Sequence, residues 1–360
     1  MSRLFLFLLC SSVASFGAND TTLKHYLYMS TPDASQKGGS GTGILVFDID
    51  DGHRFVRRID APFPKEGLRG FCASLIRHTA YYTTTSGRLG AFDLETEKVV
   101  WQQQFERGCD RACITPDGRK LYVPTGWWWK EPEGGLLIVN PDNGELLKRI
   151  VVGPQAHNSI ASLDGKFVYL GTRERFTVIR PADDRVVLNV TGVGEAGVSP
   201  FTVDSRNRYA YVCLYKHVGF DIVDLQTGMV PHRVLAGPEP IARRTHGIGF
   251  TPDEKELWIS DQAGRQLFVF DATRRPPKEN GRIELSQGGH GWVTFSLDGR
   301  FAWCHTPDVI DAHTRKIITT LKDENGNPVC GSKFIELHFR GGKVVTVGNE
   351  FGLGRAHIRR

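Results

Sequence analysis

The sequence predicts an all-β fold, a seven-bladed β-propeller of four-stranded blades, from two columns of residues that recur along its 360 positions. One column is a short apolar run closing on Asp or a substitute. It occurs at Val46-Phe47-Asp48, Ala91-Phe92-Asp93, Ile138-Val139-Asn140, Val178-Ile179-Arg180, Ile222-Val223-Asp224, Val269-Phe270-Asp271 and Val309-Ile310-Asp311, at spacings of 45, 47, 40, 44, 47 and 40. The other column is a turn that follows an apolar strand, at Ile76, Asp117-Gly118, Asp164-Gly165, Asp204, Asp253, Asp298-Gly299 and Gly341-Gly342. A period of this length filled with short strands and Gly/Asp turns is the mark of a propeller, in which each unit is one small sheet that must be covered on both faces.

The best-preserved unit runs from Arg243 to Asp271. It reads as an inner strand into a Thr-Pro-Asp turn, a second strand at Glu256–Ser260, a polar loop, and a third strand ending in Val-Phe-Asp. The Asp-Gly turns supply the positive φ that tight hairpins need, so Asp117, Asp164, Asp253 and Asp298 are read as architecture. The two ends of the chain account for closure. Strands near His25–Met29, Gly43–Ile49 and Arg54–Ile59 lack an inner strand, and an inner strand near Phe334–Phe339 lacks partners. Joining them makes the seventh blade and removes the open edge. One strand is surplus, since Lys343–Val347 competes with His25–Met29 for the second position.

Composition narrows the class of partner. Forty glycines and 18 prolines lie between apolar runs, as many tight turns require. The net charge of +5 is mild, and no block of Lys and Arg tracks a phosphate backbone, so nucleic acid is not an expected partner. Residues 1–18 read as a secretory signal peptide, with Arg3, an apolar run from Leu4 to Leu9, and small residues at Ser12-Val13-Ala14 or Ser15-Phe16-Gly17 for cleavage. The remainder, 19–360, reads as a single propeller domain, periplasmic or secreted, with no transmembrane anchor. Cys72, Cys109, Cys113, Cys213, Cys304 and Cys330 are read mainly as small buried residues. Cys109 stands out for its place near the channel mouth, and no C-x-x-C-H for haem attachment is present.

The units Ser162-Leu163-Asp164-Gly165-Lys166-Phe167-Val168-Tyr169-Leu170 and Thr251-Pro252-Asp253-Glu254-Lys255-Glu256-Leu257-Trp258, with the Val-Phe-Asp third strands, resemble repeats of the exported YVTN-type (YncE-like) seven-bladed propellers. The resemblance spans Thr21 to Arg355. It implies the fold; the wider group holds binding proteins, lactonase-like enzymes and haem- or copper-associated domains, so the activity must be argued from the site.

Propeller geometry gathers two sets of residues at one face. The loops entering the inner strands carry Arg69, Asp110, His157, Gly197, His246, Gly291 and Phe334, with His290 one residue before Gly291, and with Arg111, Arg243 and Arg244 nearby. Imidazoles converging on a channel bind a divalent metal, serve as acid and base, contact a ligand, or cap loops. His157, His246 and His290 are therefore the candidate metal ligands, and with Asp110 the candidate catalytic residues. Arg69, Arg111, Arg243 and Arg244 are candidate contacts to a ligand. The second set is the insertion Gly126–Gly135, whose Trp127, Trp128 and Trp129 cannot all face inward along an extended segment. Exposed indoles suit a sugar ring, an aromatic ligand or a protein interface, and buried ones would cap the gap between blades. The expected function is binding of a small molecule, glycan or protein at the funnel mouth; the alternative is a metal-assisted hydrolase or lyase on a lactone or sugar-acid substrate.

Overall fold

The computed structural model describes residues 21–32, 41–60, 66–84, 86–105, 109–198, 200–288 and 291–348. The proposed signal peptide, His290 and the glycine-rich tail after Gly348 lie outside the described residues. All regular structure among them is β: 29 strands in seven antiparallel sheets. Blades 1 to 6 begin with the inner strands Leu68–Ser74, Cys113–Ile114, Asn158–Ala161, Phe201–Val203, Thr245–Phe250 and Val293–Phe295. Each is a four-stranded meander.

The two recurrent columns are local hydrogen-bond devices. After each of four inner strands a Ser or Thr hydroxyl donates to the Asp two residues on, as Thr115 does to Asp117, Ser162 to Asp164, Thr251 to Asp253 and Ser296 to Asp298. The same carboxylate accepts the amide two residues further along, which closes the turn. Gly118, Gly165 and Gly299 then take positive φ, a role that Glu254 fills in blade 5 at φ 58°. Where the third strand closes on Asp, that residue works alike at the next hairpin. Asp93 accepts from the amides of Glu95 and Thr96, and Asp224 from those of Gln226 and Thr227. The turns read as architecture are architecture.

Closure follows the expected route with one addition. Lys333–Arg340 is the inner strand of blade 7, and Leu23–Ser30 pairs with it in register from Ser30↔Lys333 to Leu23↔Arg340. The N-terminal strand therefore holds the second position. Lys343–Val347 does not compete for it: it pairs on the other edge of the inner strand, over Leu337 to Arg340, as a fifth strand. The reason is local, since a two-residue Gly341-Gly342 turn lets it fold straight back. The core lies between blades, where large side chains such as Tyr28, Phe47, Trp258 and Trp303 are fully buried. Arg274 is exposed, but Arg275 stacks 3.5 Å from the Tyr209 ring centroid and donates to Tyr211.

Candidate functional site

The mouth of the channel is organised by a departure from the repeat in blade 2. Its inner strand is cut to Cys113–Ile114 because the preceding residues leave their own sheet. Arg111 instead makes a parallel bridge to blade 3, donating its amide to His157 O and accepting from the Ser159 amide. These main-chain bonds set Asp110, Arg111 and His157 side by side.

The three form a buried cluster. Asp110 Oδ2 lies 2.6 Å from His157 Nδ1 and accepts the Trp127 amide at 3.1 Å. Asp110 Oδ1 accepts the Arg111 amide at 3.0 Å and its Nη1 at 3.1 Å. Arg111 Nη1 also lies 2.9 Å from Nε2 and 3.3 Å from Nδ1 of His157. Such similar distances to both ring nitrogens place the guanidinium against the imidazole and not along one lone pair. The charges follow. Burial alone would raise the Asp110 carboxyl, but His157, Arg111 and Arg69 outweigh it and hold the pKa well below the usual carboxylate range. For His157, burial and the adjacent Arg111 overcome the pull of Asp110, so its pKa falls to about 4 and the ring is neutral at pH 7. Its proton then sits on Nδ1, donated to Asp110. Burial, with Arg69 and Arg244 nearby, brings Arg111 down to about 10 against the opposing pull of Asp110.

Bulges aim the flanking side chains. In blade 1 the pairing slips between Leu68 and Phe71, so Arg69 and Gly70 stand out of register. In blade 5 it slips between Thr245 and Gly247, which turns His246. Arg69 then lies 5.2 Å from the Trp128 ring centroid, and the buried His246 ring is 6.4 Å from that of Trp292. Among the insertion's tryptophans the two readings divide. Trp128 is 64% exposed. Trp127 is half-buried, 5.2 Å from His157 and 5.8 Å from Arg244. Trp129 is buried beside Arg149 of the same blade. The insertion is clamped down by Gln155, whose amide donates to Trp129 O and whose side chain donates to Trp127 O.

Two neighbouring arginines part company. Arg243 turns to Asp261, with Nη2 2.6 Å from Oδ2, and does not join the cluster. Arg244 lies over Tyr215, 4.2 Å from its ring centroid, between Tyr215 and Trp127. Its pKa is lowered by burial and by Arg173, with Tyr215 acting the other way. Cys109 is buried, and burial and then Asp110 raise its thiol, which disfavours the thiolate that a nucleophile needs.

Several members of the site were not foreseen. Trp292 is buried in the same apolar cluster as Ile160, Val198 and Phe201, so its indole reaches across the axis and floors the funnel. Arg111 lies 5.3 Å and Lys333 4.4 Å from its ring centroid. His305 packs on Gly291, where an added Cβ would come within 1.9 Å of the His305 Cβ. Burial, with Lys333 and Arg111, lowers His305 to about 4. Arg173 and Tyr215 sit just past the second strands of blades 3 and 4, the place in the repeat where Trp127 sits in blade 2. Aligning that loop across blades would have found them.

The three-histidine arrangement involves His290, which lies outside the described residues. Among the described residues no group of three His, Cys, Asp or Glu side chains is placed to hold a metal ion. His157 has a guanidinium against its ring, which electrostatically opposes a second cation there.

No family model matches the chain. A 6-phosphogluconolactonase of Cronobacter sakazakii is 23% identical over 228 residues, 60% of this chain. The aligned region spans 62% of that relative's length. Among solved structures, a periplasmic gluconolactonase of Pseudomonas aeruginosa superposes with a TM-score of 0.69 at 16% identity, covering 87% of this chain and 98% of that one. The hydrazine synthase of Kuenenia stuttgartiensis gives 0.59 at 16% identity, over 78% and 94% of the two chains. The β-propeller domain of Myceliophteria thermophila Cps50 (Swd1) gives 0.58 at 10% identity, over 78% and 97%. The chain is a seven-bladed β-propeller, and proteins named for gluconolactone chemistry are among those it is similar to.

Proposed function

We infer that the funnel mouth binds a small anionic ligand of the sugar-acid class. The observation that carries this reading is the set Arg69, Arg111 and Arg244: Arg111 and Arg69 act on the one buried carboxylate, Asp110, and Arg244 lies near Arg111 and over Trp127. Asp110 is already engaged by Arg111, His157 and the Trp127 amide, so the cluster's excess positive charge faces the channel mouth. A low-dielectric funnel lined by one sign of charge concentrates ions of the other sign. Trp127 and the exposed Trp128, each beside an arginine, give flat apolar faces on which a sugar ring can lie. A binding protein working outside the cytoplasm fits the leader-like residues 1–18 and the periplasmic neighbour.

A second reading, lactone hydrolysis, is favoured by the names of the Cronobacter relative and the Pseudomonas neighbour. Water would add to the lactone carbonyl and the ring C–O bond would break, leaving a hydroxy acid. Arg111 or Arg244 would stabilise the developing oxyanion and the product carboxylate. An imidazole titrating near 4 is a weak base at neutral pH, which ranks binding ahead of hydrolysis.

Calorimetric titration with gluconate, 6-phosphogluconate and neutral glucose tests the first reading. Binding of the acids but not of glucose, weakened by salt, is expected. Arg244→Ala should cost about 10- to 100-fold, the worth of one charge-assisted hydrogen bond of about 1.5–3 kcal/mol. Equal affinity for glucose would sink it. Base uptake during δ-gluconolactone hydrolysis, measured against the spontaneous rate, tests the second. Metal analysis of wild type and His246→Ala settles whether a divalent ion takes part.

A further inference from the structure

At the far end of the axis from the mouth, the turns leaving the inner strands of blades 1, 2 and 3 surround a cavity of about 220 Å³. Its apolar walls include Leu75, Ile76, Ile114, Pro116, Leu163 and Val347, and no charged side chain lines it. Two of its hydroxyls are committed elsewhere. Thr115 Oγ1 donates to Asp117 and accepts the Lys120 amide, and Ser162 Oγ donates to Asp164 and accepts the Phe167 amide. A water needs two to four polar partners to be held, and such a lining supplies few.

One wall comes from the fifth strand of blade 7. Val347 and Gly348 border the cavity, and the Gly348 amide is fixed to Glu336 O at 2.7 Å. That strand takes no part in closing the ring, which Leu23–Ser30 already does. It departs from the repeat, and the wall of this chamber is what it builds. Ile76, 63% exposed, stands at the rim.

We propose that this chamber is a second binding site, for a small uncharged apolar molecule such as a single aromatic ring with a short alkyl substituent. The size follows from comparison with an apolar cavity of about 150 Å³, which holds benzene. The class follows from the uncharged lining, because burying an ion there would leave it without a partner. This site is independent of the anion site at the mouth.

Saturation-transfer NMR with toluene on the full chain is the test. Transfer to toluene is expected for wild type. It should fall at least tenfold in Ala161→Leu, which fills the chamber from blade 3. It should fall equally in Ile76→Asp, which places a charge at the rim and cannot disturb the core from so exposed a position. The rate at which methyl methanethiosulfonate modifies Cys113, mapped by mass spectrometry, should drop when toluene is present, because Cys113 lines the chamber. Absence of transfer in wild type overturns the proposal. So does transfer that persists undiminished in Ile76→Asp, which would place toluene on exposed outer strands such as Val99-Val100 or Leu146-Leu147.

Discussion

Replacing Asp110 by Asn isolates the charge on which the mouth is built. The carboxylate is buried and meets four donors: the Arg111 amide and Nη1, the Trp127 amide and His157 Nδ1. Asn keeps the shape, but its NH₂ must face either the Trp127 and His157 donors or the Arg111 donors. At the same time Arg111, itself buried, loses its counter-ion. Removing one partner of a buried ion pair costs about 3–5 kcal/mol. At roughly 2–4 °C per kcal/mol for a chain of this size, the melting temperature should fall by on the order of 10 °C. Urea unfolding followed by tryptophan fluorescence measures the loss. The companion variant is Asp110→Asn with Arg111→Met, which removes the stranded cation and should recover at least ~1–2 kcal/mol of it. A single variant within about 0.5 kcal/mol of wild type, the range of ordinary surface substitutions, would refute the claim that Asp110 is the internal counter-charge of the mouth. So would strict additivity of the two substitutions.

Acid should weaken the protein before its carboxylates protonate. His53, His157 and His305 are each lowered to about 4, chiefly by burial, so between pH 6.5 and 4 the unfolded chain binds more protons than the folded one. Their stabilising effect is complete above pH 6.5 and is lost as pH falls through that window, at up to about 1.4 kcal/mol per pH unit for each. Stability titrated by urea should show this slope, and His53→Gln should reduce it. Gly291→Ala should cost several kcal/mol, since the new Cβ meets the His305 Cβ at 1.9 Å and Gly247 already packs against Gly291 O. A melting scan showing no loss would mean that blades 5 and 6 pack less closely than described. Ending the chain after Gly342 removes the burial of Val344 and Val347, at roughly 1.5–3 kcal/mol each, yet leaves a cooperative β fold. Tyr28→Ala, in the strand that closes the ring, should be comparable or worse at about 3–5 kcal/mol from one residue, judged from the cost of truncating a buried aromatic ring. Far-UV circular dichroism and urea midpoints compare the two.

The blade count and its turns were legible because their chemistry is local. Ser or Thr two residues before Asp, with an amide two residues after, closes a turn whatever lies across the molecule, so four blades carry this mark and the other three carry a substitute at the same place in the repeat. The closing blade was legible as a deficit of strands at one end and a surplus at the other. What the sequence left open was the rank of Lys343–Val347, because pairing on either edge of the inner strand satisfies the same backbone groups.

The site divides in the same way. Counting along the repeat delivered Arg69, Asp110, Arg111, His157, Arg244, His246 and the tryptophan insertion to one face. Only the folded chain decided what each does there. Arg243 and Arg244 are adjacent, yet one pairs with Asp261 and the other stacks on Tyr215. Trp127, Trp128 and Trp129 are adjacent, yet one faces the cluster, one faces solvent and one is buried beside Arg149. Trp292 and Lys333 carry no mark in the sequence at all; they matter because the axis brings blade 6 and blade 7 to within reach of Arg111. Sequence alone determined the architecture, since hydrogen bonds across two to five residues repeat it. Tertiary structure decided the site, since its charges come from different blades and meet only when the ring is closed.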